Sequence, residues 1–284
     1  MARLGEYFRL ARFHSPSGAL LLLWPTMWGL WAAAEGWPGW RWFGIFAGGV
    51  FVMRAFGCAV NDIADMKLDA QVSRTKNRPL AAGKITRGEA AAVAVFFLLI
   101  ALALWWQLPR GAKLWALGAA VLACGYPLAK RFFAAPQAVL GAAFSFGIPV
   151  AYAAVRDMPP PAEAWLFFAA NWFWVFAYDT IYAMCDRKDD LRAGAKSSAV
   201  WLGGRDVLAV GLCYAASVLL LAGLGIWIFP DSVGYQLALI AAMGLVFRFW
   251  RLYRQRNPES CWLAFRLNHW FGAFVWAGVA AAVV

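Results

Sequence analysis

A chain of 284 residues that is 63% hydrophobic and only 14% charged is not composed like a soluble globular domain, in which about 45–50% apolar and about 25% charged residues are usual. Its formal charge of +11 is gathered in short segments between apolar runs, a pattern of membrane topology that gives no reason to expect nucleic acid as a partner. The five cysteines form no C-x-x-C pair, and His14 and His269 lie far apart, so neither a zinc site nor a dithiol motif is indicated.

Arg3, Arg9 and Arg12 precede the first apolar run, 17–34. No small-residue cleavage site follows it, and Trp24, Pro25 and Trp28 are bulky, so it is expected to be a retained first span and not a signal peptide. Further apolar runs follow at 41–60, 89–107, 113–129, 136–155, 163–184, 206–228, 233–250 and 262–283. Each approaches the ~20 residues a helix needs to cross ~30 Å of hydrocarbon. Gly141, Gly147 and Pro149 in the fifth run are tolerable because neighbouring helices can satisfy freed backbone groups. The expected architecture is therefore all-α: a polytopic membrane protein of nine transmembrane helices, forming a single domain over 1–284.

The basic residues set the orientation. They cluster at the N-terminus and after the even-numbered spans: Lys67 to Arg87, Lys130 and Arg131, Arg187 to Arg205, and Arg248 to Arg256. The odd-numbered loops hold only Arg41, Arg110, Lys113 and Arg156. The positive-inside rule then puts the N-terminus and the even loops in the cytoplasm, and anionic lipid would attract the same basic segments.

Two of those even loops begin alike. The second span ends in Asn61-Asp62-Ile63-Ala64-Asp65, with Asp69 following, and the sixth ends in Cys185-Asp186-Arg187-Lys188-Asp189-Asp190, with Asp179 upstream. A duplication of this kind would turn two similar helix ends toward one cavity. If the second helix continues past its span, Asp62, Asp65 and Asp69 share about 60° of its circumference. Asp186 and Asp190 lie one turn apart. Like charges stacked this way repel, so a cation must hold them together. Oxygen-only ligands without a nearby histidine suit Mg²⁺, which fills its remaining positions with water and substrate phosphate. Asp62, Asp65, Asp69, Asp186 and Asp190 are the expected metal ligands, with Asn61 supporting them. Arg74, Lys76, Arg78, Lys130, Arg131 and Lys196 are placed to neutralise phosphate charge. A solvated loop face without chemistry, or an ion-coupled transporter using the same carboxylates, are the competing readings.

These residues carry a resemblance. Asn61-Asp-Ile-Ala-Asp-Met-Lys-Leu-Asp69 and Tyr178-Asp-Thr-Ile-Tyr-Ala-Met-Cys-Asp186-Arg-Lys-Asp-Asp190 resemble the paired motifs of the intramembrane aromatic prenyltransferase superfamily, the second in its 4-hydroxybenzoate polyprenyltransferase form. The similarity extends to Leu20-Leu-Leu-Leu-Trp-Pro-Thr26, Arg74-Thr-Lys-Asn-Arg-Pro-Leu80, Tyr126-Pro-Leu-Ala-Lys-Arg131 and Lys196-Ser-Ser198. One departure stands out: His14-Ser15 occupies the place of an acidic-basic pair in R-x-D-K-P-I-G.

The resemblance implies a bundle with a central cavity, open to the membrane and to the cytoplasmic side of a bacterial inner membrane. It implies Mg²⁺-dependent transfer of a polyprenyl group from polyprenyl diphosphate to the ring carbon ortho to the hydroxyl of 4-hydroxybenzoate, in ubiquinone biosynthesis. A related acceptor is the alternative. Arg54, an arginine inside an apolar span, and Arg131 are then expected to pair with the benzoate carboxylate. Tyr126, Tyr178 and Tyr182 would line the site, and Asp179 and Asp189 would complete it.

Overall fold

The computed structural model describes residues 2–284; the side chains of Ala2, Pro127, Leu128, Lys130 and Arg131 lie outside the described residues. The described residues fold entirely as helices and connecting turns. A short α1 (Ala2–Leu10) leads into α2 (Ser17–Ala34), α3 (Gly39–Asp69), α4 (Arg87–Trp106) and α5 (Arg110–Phe132). Then come α6 (Gln137–Ser145), α7 (Gly147–Arg156), α8 (Ala162–Ala193) and the single turn α9 (Ser198–Leu202). The chain ends with α10 (Asp206–Ile228), α11 (Val233–Tyr253) and α12 (Pro258–Val283). Five segments among the described residues are long and apolar enough to cross a membrane: Gly39–Asp69, Arg87–Trp106, Gln137–Arg156, Ser198–Ile228 and Val233–Tyr253.

Helix length is what positions the site. With 31 and 32 residues rising about 1.5 Å each, α3 and α8 span roughly 47 Å, well beyond a hydrocarbon layer of about 30 Å. Their ends therefore continue as helix past the apolar runs, and that overhang carries the aspartates. Each end is closed locally. The Thr75 hydroxyl donates to the Asp69 carbonyl (2.9 Å), and Gly194, at φ 67°, takes up the left-handed cap of α8 that a side chain would resist.

The apolar run at 136–155 forms one candidate span, Gln137–Arg156, with a single turn residue, Phe146, between α6 and α7 whose backbone stays helical (φ −64°, ψ −19°). Pro149 has no N–H for the Ser145 carbonyl. The Ser145 hydroxyl instead donates to Gly141 O (2.7 Å) and accepts from Asn171 Nδ2 (2.9 Å) on α8. Gly147 permits the close approach of α2, since a Cβ there would collide with the Thr26 hydroxyl.

The core sits where α2, α7, α8, α10 and α12 meet. Trp28 of α2 stacks on Trp174 of α8, with ring centroids 5.5 Å apart, and its indole N–H donates to Gly272 O (2.8 Å). Asn268 of α12 is fully buried there. It accepts from Trp174 Nε1 (2.9 Å) and Tyr214 Oη (2.8 Å) and donates to Ala264 O (2.8 Å). A polar group costly in an apolar interior is thereby paired. By contrast, α4 buries only Ala90 and Ala94 and exposes Val95, Phe96, Leu99 and Leu102, a lipid-facing composition.

Candidate active site

One large cavity, about 1430 Å³, opens at the acidic end of the bundle. Asn61, Asp62, Asp65 and Asp69 reach it from α3, and Asp179, Tyr182, Asp186 and Asp190 from α8. Arg74 and the 72–79 turn close it from above, with Tyr126 of α5 and Lys196 at its side. Beyond the carboxylates the lining becomes apolar, passing Val50 and Phe46 of α3, Leu102 and Trp105 of α4, and Ala116 and Ala120 of α5. The two aspartate motifs thus share one chamber, polar at its mouth and oily at depth.

The α3 carboxylates are buried: Asp62 is 1% exposed and Asp69 6%. Charges so deep need partners, and arginines supply them. Arg12 NH2 lies 2.8 Å from both Asp62 oxygens. Arg78 NH1 bridges Asp62 Oδ1 (3.2 Å) and Asp69 Oδ2 (2.7 Å). Across the cavity, Arg74 Nε donates to Asp186 Oδ1 (2.9 Å), and its NH2 contacts Asp186 Oδ2. The same guanidinium lies over the Tyr182 ring at 4.3 Å and near Trp262 of α12 at 5.7 Å, a cation–π seat. Burial is the strongest influence on the Arg74 and Arg78 guanidinium groups and works against their charge. Tyr182 and the carboxylates, Asp186 for one and Asp62 and Asp69 for the other, outweigh it and hold both above the ordinary arginine range.

The donor set fits a hard divalent cation: carboxylates and an amide from two helices face one chamber. Among the described residues, no three His, Cys, Asp or Glu side chains converge on a single point, because Asp62, Asp69 and Asp186 are drawn onto Arg12, Arg78 and Arg74. The guanidinium groups neutralise these carboxylates in the structure.

Several expected residues fall elsewhere. Asp189 is not part of the cavity wall; its carboxylate accepts from the Ser73 N–H (3.1 Å) and ties the 70–75 turn to α8. Lys196 does line the cavity, and its ammonium donates to Phe132 O (3.2 Å), joining the segment after α8 to the end of α5. Lys130 and Arg131 lie outside the described residues. Arg54 does reach the cavity, about 12 Å below Asp62 along α3 by helical rise. Its Nε is buried without a hydrogen-bond partner, as is the hydroxyl of Tyr178 on α8. Two such orphans on facing helices mark a place where a polar ligand would be satisfied.

Sequence reasoning missed Arg12 as a site residue, because one of three N-terminal arginines reads as a topology signal. Its mark is conformational: φ is 61°, a left-handed backbone that a non-glycine residue adopts at a cost. Gly18 also carries no signal in isolation, yet a Cβ there would run into the Arg54 guanidinium.

Comparison with known proteins agrees with this geometry. The family model described as the UbiA prenyltransferase family matches residues 22–277. The chain is 51% identical over 284 aligned residues to a protein of Cupriavidus necator named 4-hydroxybenzoate octaprenyltransferase, covering 99% of this chain and 98% of that one. A Thiobacillus denitrificans protein of the same name is 49% identical, with 98% and 94% covered. Among solved structures, a UbiA homolog from Aeropyrum pernix K1 superimposes with a TM-score of 0.79 at 25% identity, covering 91% of this chain and 96% of that one. A UbiA homolog from Archaeoglobus fulgidus, described as bound to GPP and Mg²⁺, shares the fold with a TM-score of 0.74 at 19% identity, over 98% and 100%.

Proposed function

The chain belongs to the UbiA prenyltransferase family, and from that premise we propose that it transfers a polyprenyl group from polyprenyl diphosphate to 4-hydroxybenzoate, in ubiquinone biosynthesis. The observation that carries the reading is the shared chamber, in which Asp62 and Asp186, from different helices, line one cavity that continues into an apolar channel. Such a chamber accommodates a ligand with an anionic head and an isoprenoid tail.

In this reading, Asp62, Asp65, Asp69, Asp186 and Asp190 would hold Mg²⁺, with Asn61 beside them. When bound, the metal supplies the positive charge that makes diphosphate a good leaving group. Arg12, Arg74 and Arg78, released from their carboxylates, turn to the phosphate oxygens, which guanidinium groups match well. The C1–O bond of the donor breaks with both electrons leaving on the diphosphate. The ring carbon ortho to the acceptor hydroxyl forms the new bond to C1, and the displaced ring proton leaves to solvent. The rings of Tyr126, Tyr178 and Tyr182 flank the developing allylic cation. The Arg54 guanidinium receives the benzoate carboxylate, deep enough in the bundle that water competes poorly. Lys130 and Arg131, from their sequence motif alone, would add positive charge for the diphosphate.

We place the protein in the bacterial inner membrane, with all nine apolar runs spanning, the N-terminus in the cytoplasm and the cavity mouth on that side, as one domain. The supports are the five long apolar helices and the distribution of lysine and arginine.

The deciding assay uses purified protein in lipid nanodiscs with labelled polyprenyl diphosphate and 4-hydroxybenzoate. Label should enter 4-hydroxybenzoate with Mg²⁺ and not with EDTA. Label transferred to another phenol or naphthoate but not to 4-hydroxybenzoate would overturn the acceptor. Ion flux in sealed vesicles without donor consumption would overturn the enzyme reading.

A further inference from the structure

We propose that Asp206, at the start of α10 and outside the cavity, is a positioning residue whose function is to hold Arg187 away from the second carboxylate motif. The proposal rests on the prenyltransferase reading, because it gives that motif a cation to bind.

The second motif has an internal conflict. Arg187 sits between Asp186 and Asp190, the two carboxylates that face the cavity from α8. On a helix, residues three apart are neighbours and opposite charges there attract, so Arg187 is a natural partner for Asp190. An intramolecular guanidinium is permanently present and always charged. Left to itself, it competes with any divalent cation for that carboxylate.

The structure commits Arg187 elsewhere. Its NH1 donates to Asp206 Oδ2 at 2.9 Å. Asp206 is 0% exposed, and it is held from three sides. Arg256, in the turn between α11 and α12, donates to Asp206 Oδ1 through Nε (2.9 Å) and NH2 (2.6 Å), and the Val207 N–H donates to the same oxygen (2.7 Å). Arg256 NH2 also donates to Gly204 O (2.8 Å). Its backbone is left-handed, at φ 57°, a conformation an arginine keeps only when surrounding contacts fix it. The anchor for Arg187 is thus a buried carboxylate, rigid because a second arginine and a backbone amide saturate it. The bond to Arg187 draws its guanidinium toward α10 and off the face of α8 that lines the cavity.

The arrangement goes beyond ordinary stapling of helix ends. A staple alone would work equally with the charges exchanged or with a neutral pair. Here the sign matters, because the group being held is a cation that would otherwise add to those already on the motif carboxylates. Loss of the Asp206 charge releases a cation beside Asp190. Loss of the Arg187 charge removes the competitor and makes Asp206 dispensable for metal binding.

Mn²⁺ binding to the full-length protein in nanodiscs, in the presence of inorganic pyrophosphate, tests this by electron paramagnetic resonance. Asp206→Asn, nearly isosteric, should weaken the apparent Mn²⁺ affinity by roughly tenfold, as expected for a like charge admitted at close range in a partly solvated site. The double variant Asp206→Asn/Arg187→Gln should return to within about twofold of wild type. Arg187→Gln alone should bind as tightly as wild type or tighter. The idea is overturned if Asp206→Asn binds Mn²⁺ like wild type, if the double variant stays as weak as the single, or if Arg187→Gln itself weakens binding. The parent reading falls separately: wild-type protein that binds no Mn²⁺ with pyrophosphate overturns both.

Discussion

Gly18 of α2 makes room for Arg54 of α3: a Cβ at position 18 would occupy the space of the Arg54 guanidinium. The pairing joins two helices at the depth where the cavity turns apolar, and it leaves space there for the Arg54 guanidinium. Gly18→Ala should push that guanidinium aside. The expected result is a KM for 4-hydroxybenzoate raised about tenfold, the equivalent of about 1.4 kcal/mol, with the KM for the diphosphate donor unchanged. Steady-state kinetics with each substrate varied in turn will show whether the two constants separate. Parallel changes in both would mean that Arg54 does not serve the acceptor.

The carboxylates of the two motifs should fail together. Asp62→Asn and Asp186→Asn are each expected to lower turnover by roughly a hundredfold or more, the scale of removing one charged element of transition-state stabilisation. On the proposed reading both act on one bound diphosphate, so the double variant should lose much less than the product of the two. EDTA should abolish wild-type turnover, and Mg²⁺ should restore it. Full multiplicative loss in the double variant would argue for two independent sites.

Asn268 offers a stability prediction remote from the chemistry. Asn268→Ala strands the Trp174 indole N–H and the Tyr214 hydroxyl in the bundle core. A loss of about 2 kcal/mol is expected, readable as a lower midpoint of thermal unfolding in detergent. An unchanged midpoint would show that the two donors find other partners.

His14, at the departure from the family pattern, predicts a pH effect. Burial, and then the charges of Arg12 and Arg9, push its pKa below the ordinary 6.5. Protonation is therefore easier in the unfolded chain than in the folded protein, and stability falls as pH drops through about 6.5 toward the lower folded value. His14→Gln should show a shallower loss of thermal stability between about pH 7 and pH 5 than wild type. Identical slopes would leave His14 uncoupled from folding.

Much of the fold was readable because the dominant signal, runs of apolar residues, is local and strong. The starts and stops of α2, α4 and α10 fall within a few residues of the apolar runs. The overhang of α3 and α8 was legible only as a condition, since the helical spacing of Asp62, Asp65 and Asp69 makes sense if the helix continues. The turn at Phe146 was not legible, because Gly and Pro are tolerated in membrane helices, and the close approach of Gly147 to Thr26 is a tertiary contact that local sequence does not report. The site divides similarly. Carboxylates announce themselves by spacing, but their arginine partners come from 50 residues away for Arg12 and 112 for Arg74, and sequence spacing carries no information on such pairings. Asp189 shows the converse: a residue of the motif whose side chain accepts from the Ser73 backbone N–H.

On the proposed reading, the overhang of α3 and α8 decides where the two halves of a lipid-tailed donor part company. The helices would carry the acidic groups past the acyl chains, so that hydrated ions and phosphate esters need not enter oil. The spent inorganic product can diffuse off into solution. The prenylated ring, now fused to a long greasy chain, has no such exit and stays in the bilayer, ready for whichever membrane-bound enzyme modifies it next.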